Sequence, residues 1–487
     1  GYDGLSNSLL KHVIHVIVVR LTHIFNLSLL TGTVPDKMKI AKVIPIFKKG
    51  DSHELTNYRP ISLLPTLSKI LEKLVYTRLN KFLISNHIIC QSQFGFRAKH
   101  TTTHAILNFM NTIVQSIDKF SHSVGVFLDF SKAFDTVDHN ILLYKLSRYG
   151  IRGKALDWFK NYLKHRKQFV VVNGFESYLK PVTYGVPQGS LLGPLLFLLY
   201  VNDLPQSSKL LSFILFADDS SIFYSNQNLN VLLNTINTEL LYVNNWVRAN
   251  KMSLNITKCN YMIFSNSLTI LPANVVIDDK ELTRVLSTKF LGLIIDQKLS
   301  WKLHIDNLCK LLSRNTGILY KLKKFLPSSI LFMLYNTLIL SYVNYGLLAW
   351  GCASKTNIER ILMIQKRALR NTFNMSFRSH TNKIFFENKT LKIHDLYNFH
   401  LGSFMFQSYS HDLPATLLLL FQTNNKIHSY STRQKHSFHL PYTRTLLAHK
   451  TVIFTGPKFW NDLPFDIKSA PSLYVFKRKL KKCLLDS

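Results

Sequence analysis

Two adjacent carboxylates, Asp218 and Asp219, lie between the apolar runs Ser212–Leu215 and Ile222–Tyr224. That pattern predicts a β-hairpin with its acids at the turn. A third carboxylate, Asp129, ends the apolar run Val124–Leu128. Neighbouring carboxylates repel, and one holds a proton unless cations neutralise them. Three of them on strand ends can bind two Mg²⁺ ions roughly 3.5–4 Å apart, the arrangement used for phosphoryl transfer. Asp also favours turns for conformational reasons alone, so these residues by themselves leave plain turn chemistry open.

The elements that would carry them follow from periodicity. Ile40–Phe47 reads as a strand, Lys48–Asp51 as a turn, and Asn57–Leu64 as a return segment carrying Arg59. Helical spacing covers Ser68–Leu83, Thr101–Ile117, Asn140–Tyr149, Ala155–Leu163, Pro194–Val201 and Leu229–Arg248. Strands are expected at Phe169–Asn173, Tyr261–Phe264 and Lys289–Ile295. The interleaving predicts an α+β domain, a split βαβ antiparallel sheet with helices on one face. The 487 residues, 47% of them hydrophobic, suffice for two to four domains with real cores.

The net charge is +33, from 60 Lys and Arg against 27 Asp and Glu. Such a chain repels itself unless a polyanion neutralises it, so nucleic acid is the expected partner. Beyond residue 300 the bias steepens to 27 basic against 8 acidic residues. No membrane partner is expected: the most apolar stretch, Val13–Leu30, is broken by His15, Arg20 and His23 and reads as an amphipathic core helix. No small-residue cleavage site follows it, so it is not read as a signal peptide. The cysteines Cys90, Cys259, Cys309, Cys352 and Cys483 form no C-x-x-C pair, which argues against zinc and disulfides and fits a reducing compartment. A first residue of Gly rather than Met suggests a fragment or processed piece.

Leu128-Asp129-Phe130-Ser131-Lys132-Ala133-Phe134-Asp135, the loop Gly185-Val186-Pro187-Gln188-Gly189-Ser190 and Phe216–Asp219 resemble motifs A, B and C of reverse transcriptases, specifically those of non-LTR retrotransposons. Asn57–Leu64, Gln93-Phe94-Gly95-Phe96-Arg97 and Phe290-Leu291-Gly292 match further family blocks in the same order. The resemblance implies a right-hand polymerase: an N-terminal helical extension (1–34), fingers (35–120), palm (121–300), helical thumb (301–380) and a basic C-terminal extension of unassigned role (381–487). It implies RNA-directed DNA polymerase activity with an RNA template, a DNA primer and dNTPs. It also implies a nuclear location, with cytoplasmic RNA association, and an endonuclease encoded upstream or supplied in trans. A catalytically dead or maturase-like RNA-binding protein on the same fold is the alternative.

Within that resemblance, Asp129 and Asp218 are the expected ligands of two Mg²⁺ ions (Mn²⁺ as a substitute), with Asp219 beside them and the backbone carbonyl of Phe130 as a further oxygen donor. Asp135 matches a family position but reads equally well as a helix N-cap. Phe134 is placed against the sugar, where its ring would exclude a ribose 2′-hydroxyl. Gln188 and Gly189 are expected to position the nucleotide or template. Arg59 with Lys48 and Lys49 can clamp a triphosphate, Arg by bidentate contact and Lys as a point charge; Arg97 is a further phosphate or template candidate. Lys258 resembles the lysine that protonates pyrophosphate, and Gly292 a glycine that lets the primer backbone approach. Ile358–Arg370 reads as a basic amphipathic helix for the template–primer duplex. Lys477–Lys482 reads as a solvated basic face, an RNA-contact or nuclear-targeting candidate. No RNase H constellation is assigned.

Overall fold

The computed structural model describes residues 1–265, 274–427 and 434–486. Its strands are β1 (Ile40–Phe47), β2 (Tyr58–Leu63), β3 (His122–Leu128), β4 (Arg166–Val172), β5 (Phe175–Glu176), β6 (Lys180–Val182), β7 (Ser212–Phe216), β8 (Asp219–Asn226), β9 (Asn260–Phe264), β10 (Val276–Ile277), β11 (Lys280–Glu281), β12 (Thr283–Arg284), β13 (Ser287–Phe290) and β14 (Leu293–Asp296). The helices that frame them are α1 (Asn7–Thr31), α2 (Thr66–Ser85), α3 (Thr102–Asp118), α4 (His139–Arg148), α5 (Lys154–Leu163), α6 (Leu192–Val201), α7 (Leu229–Ala249) and α8 (Lys302–Leu322).

The central sheet has the order β12-β9-β3-β8-β7. β3 is its middle strand, antiparallel to β8 (Val126 opposite Ile222) and to β9 (Val126 opposite Tyr261). Successive residues point to opposite faces. Val124, Val126 and Leu128 join one core with residues of α6 and α7, while Phe127 joins a second core with Phe109 and Ile113 of α3 and Trp301 and Leu308. Helices therefore cover both faces, not one as the sequence pattern suggested. An uninterrupted apolar strand buried on both sides is the physical reason. At Gly125 a Cβ would lie 2.9 Å from the Phe223 ring, so the glycine makes room for Phe223, Phe109 and Phe264 to pack.

A second sheet, β2-β1-β4-β5 with β6 also on β4, stands beside the first. β1 and β2 form a hairpin with Ile46 opposite Arg59, and β1 runs parallel to β4 with Lys42 opposite Phe169. The 289–295 run is not one strand. It is the hairpin β13–β14, turned at Leu291 and Gly292, both at positive φ (43° and 87°).

α1 departs from expectation. Of its residues only Leu10, Phe25 and Ser28 are buried, the last two beside α5, where Trp158 Nε1 donates to Ser28 Oγ at 3.1 Å. Val16, Val19 and Leu30 are exposed, so it is not a core helix. By length and composition it is also apolar enough to cross a membrane, because its cations are few.

After β14 the chain is helical. The helix 355–372 packs on α8 through Ile358, Ile361, Leu362 and Leu369. A third core gathers Phe404, Met405, Trp460, Phe476 and Leu480. This terminal region is tied back to the end of α3. The Asp118 carboxylate accepts from the backbone N–H groups of Arg444 and Thr445 and from the Thr445 hydroxyl. The Arg444 guanidinium donates in turn to the carbonyls of Asp118 and Ile117 and lies 3.5 Å over the Phe120 ring.

Candidate active site

The β7–β8 hairpin pairs Phe216 with Asp219, leaving Ala217 and Asp218 as its two turn residues. Ala217 takes the left-handed conformation (φ 59°), which costs a non-glycine residue energy unless its surroundings hold it. In β3, Leu128 stands opposite Ser220. Extending that antiparallel register by one residue brings Asp129 alongside Asp219. The segment after α7 fixes the backbone there: Asn255 N–H donates to Asp129 O at 2.8 Å, Ser131 N–H to Ser253 O at 2.9 Å, and Asp129 N–H to Cys259 Sγ at 3.3 Å. The Phe130 carbonyl accepts no hydrogen bond among the described residues.

The carboxylates sense one another. The Asp219 carboxyl is raised above the usual range, first by loss of water in the groove, although the side chain still reaches solvent, then by Asp218 and Asp129; Lys48 pulls it back. Lys258 Nζ stands 3.8 Å from Asp129 Oδ2. Lys48 is thus the hairpin lysine whose charge reaches the acids. Its N–H bonds Asn57 O at 2.9 Å, closing the β1–β2 tip. The structure places Arg59 on the exposed face of β2.

The carboxylates fit divalent cations by chemistry, since hard oxygen donors suit Mg²⁺ and their mutual repulsion is what a cation removes. Among the described residues, no three His, Cys, Asp or Glu side chains are yet close enough together to hold an ion.

The 185–190 loop spans two segments. Gly185 N–H donates to Val137 O and Val186 N–H to Phe134 O, while Ser62 N–H donates to Gln188 O at 2.7 Å. A Cβ on Gly189 would lie 2.6 Å from Ser62 O, and one on Gly185 2.8 Å from Asp135 O. The close approach these glycines permit is to protein backbone. Gln188 Nε2 donates to Asp135 Oδ1 at 2.9 Å. Burial raises the Asp135 carboxyl, and Gln188 and Lys132 offset part of that. Asp135 is therefore no N-cap; Asp138 caps α4, accepting from Asn140 and Ile141. Phe134 stacks on Phe197 of α6 with centroids 4.4 Å apart.

Other expected contact residues are engaged within the protein. Arg97 Nη1 donates to the carbonyls of Cys90 and Gln93, both at 2.9 Å, so this half-buried guanidinium braces its own loop instead of reaching for a phosphate. At Gly292 a Cβ would lie 3.0 Å from the Tyr345 ring, whose hydroxyl donates to Leu291 O. In the 355–372 helix, Arg360 pairs with Asp306 and Arg370 donates to Ser379 O, leaving Lys366 and Arg367 without an ion pair among the described residues.

Sequence reasoning passed over two buried residues. Glu72 on α2 accepts from Tyr162 Oη at 2.8 Å and from Leu191 N–H at 2.7 Å, at the entry to α6. Gln93 belongs to a quoted motif, but its contacts are long-range.

The reverse transcriptase (RNA-dependent DNA polymerase) family pattern matches residues 46–295, just over half the chain. The chain belongs to this family. The matched stretch contains Lys48, Arg59, Arg97, Asp129, Phe134, Gln188, Asp218, Asp219, Lys258 and Gly292, but not the 355–372 helix. The chain is 29% identical over 382 residues to the RNA-directed DNA polymerase from mobile element jockey of Drosophila melanogaster, covering 76% of this chain and 41% of that protein. It is also 29% identical over 396 residues to the probable RNA-directed DNA polymerase from transposon BS of the same organism, covering 76% and 42%. The chain thus spans about two fifths of the length of these curated relatives. An apo telomerase structure from Candida tropicalis aligns with TM-score 0.41 and 14% identity, over 77% of this chain and 64% of that one.

Proposed function

We propose that this chain is the RNA-directed DNA polymerase portion of a non-LTR retroelement. The observation that carries the reading is that the β3–β8 register and the β7–β8 turn bring Asp129, Asp218 and Asp219 to the same end of the central sheet, inside a family-matched stretch. On this reading the central sheet is the palm, β1 and β2 belong to the fingers, and the helices after β14 form the thumb and a basic extension. Asp129 and Asp218, with Asp219 and the Phe130 carbonyl, would hold two Mg²⁺ ions. Ions bound there would supply charge that lowers the cost of ionising the primer 3′-hydroxyl and neutralises the departing pyrophosphate.

The protein's own groups orient the reactants. Lys48 and Arg59 meet the triphosphate, and Phe134 screens the sugar. Lys258, beside Asp129, donates a proton to the leaving pyrophosphate as the primer oxygen bonds to the α-phosphorus. The RNA template, DNA primer and dNTPs are the substrates. A nuclear site of action and an endonuclease upstream or in trans complete the proposal.

Primer extension on poly(rA)/oligo(dT) tests it. The native chain should extend the primer, and Asp218→Asn should not. RNA binding without extension by the native chain would favour a dead or maturase-like protein instead.

A further inference from the structure

The residues just before α3 form an extra strand-like edge on the central sheet. β7 is the outermost named strand, and an unpaired edge exposes a row of N–H and C=O groups. Here Gln93 pairs in parallel with Leu215: Phe94 N–H donates to Leu215 O at 2.8 Å, and Leu215 N–H to Ser92 O at 2.9 Å. The Gln93 side chain, only 1% exposed, then reaches past the end of β7. Its Oε1 accepts from Gly95 N–H at 2.8 Å and from Ala217 N–H at 3.2 Å. Ala217 is the left-handed residue immediately before Asp218. A Cβ on Gly95 would lie 2.5 Å from Ala217 N and 2.9 Å from Phe216 C, so the two backbones are in full contact.

Three features mark this contact as selective. Gln93 Nε2 is buried with no hydrogen-bond partner, a cost accepted although an apolar side chain would avoid it. What the side chain supplies is a hydrogen-bond acceptor that brings no negative charge of its own beside Asp218 and Asp219. The loop is itself anchored, since Arg97 Nη1 grips Gln93 O and Cys90 O, and Cys90 N–H donates to Asn202 Oδ1 at 2.8 Å.

We propose that Gln93 is a positioning residue for the acidic turn. Its side-chain carbonyl holds Ala217 in the strained conformation that aims Asp218 at Asp129, and Gly95 supplies the room for that contact. The inference rests on the polymerase reading, and it makes the fingers-side loop part of the metal-site geometry.

The test compares Gln93→Met, which removes the acceptor at similar volume, with Gln93→Glu, which keeps it. Amide hydrogen exchange of the 213–219 segment is read without metal, and steady-state dNTP kinetics are read with it. Gln93→Met should speed exchange at 216–219 while α7 and β9 stay protected. It should lower kcat by roughly 10–100-fold, the scale of a misplaced reacting group, with the dNTP KM and RNA affinity within about threefold of native. Gln93→Glu should leave exchange of the turn near native. The inference is overturned if Gln93→Met keeps native exchange at 216–219, if Gln93→Glu loosens the turn equally, or if kcat is unchanged in a native chain that extends primers. If Gln93→Met does not fold, Gly95→Ala serves: it keeps the acceptor but should displace the turn and lower kcat similarly, and native kcat there would also overturn the inference. A native chain that extends no primer refutes the polymerase reading itself, whatever the exchange data show.

Discussion

Lys258 Nζ lies 3.8 Å from Asp129 Oδ2, and both side chains remain about half in solvent. An ion pair this exposed contributes little to stability, on the order of 0–1 kcal/mol. Lys258→Gln should therefore melt near the native temperature while its extension rate falls, by up to about 10²–10⁴-fold if proton donation is its task. Lys258→Arg restores the charge but donates a proton poorly, so it should recover little rate. Full recovery by Arg in single-turnover assays would reduce Lys258 to a charge partner of Asp129.

Lys48 and Lys49 are adjacent on the β1–β2 turn, yet Lys48 is the one whose charge is felt at Asp219. Lys48→Ala should raise the dNTP KM by roughly tenfold, the scale of one charge-assisted hydrogen bond, with Lys49→Ala much closer to native. Equal effects would assign the pair to general electrostatic attraction.

The raised Asp219 carboxyl gives a stability prediction of definite sign. A folded-state pKa above the unfolded value contributes stability at acid pH that is lost as pH rises through the folded value. At neutral pH the ionised Asp219 is thus a liability in the metal-free protein. Asp219→Asn should melt above native at pH 7 without Mg²⁺, and the gap should close as pH falls below the ordinary aspartate value of about 3.9 and on adding Mg²⁺. Calorimetry showing Asp219→Asn below native at pH 7 without metal would contradict the crowding of the three acids.

Phe134 packs against Phe197, so its truncation should cost about 1–3 kcal/mol of stability. On the proposed function it should also admit ribonucleotides selectively, raising the rNTP/dNTP incorporation ratio. A stability loss with an unchanged ratio would leave Phe134 a packing residue.

The local elements were legible because they rest on period and turn chemistry. The hairpin bearing Asp218 and the strand ending at Asp129 stand where alternation and apolar runs placed them, and the helices match within one to three residues at most ends. Gly292 was a visible turn signal inside the 289–295 run, outweighed there by the apolar residues around it. Asp135 and Asp138 could each have capped α4; only the helix start at His139 separates them. The two-sided burial of the sheet, the exposure of α1 and the reach of Gln93 to Ala217, 124 residues away, depend on long-range packing that no local pattern encodes.

The staple between Asp118 and Arg444–Thr445 limits how this protein can be trimmed. A product ended soon after residue 295 would carry every proposed reactive group, yet it would bare Leu107 and Met110 on α3, which the terminal helices now shield. Such a shortened product should clump during purification, which would make the residues beyond 295 necessary for solubility as well as for any contact with nucleic acid.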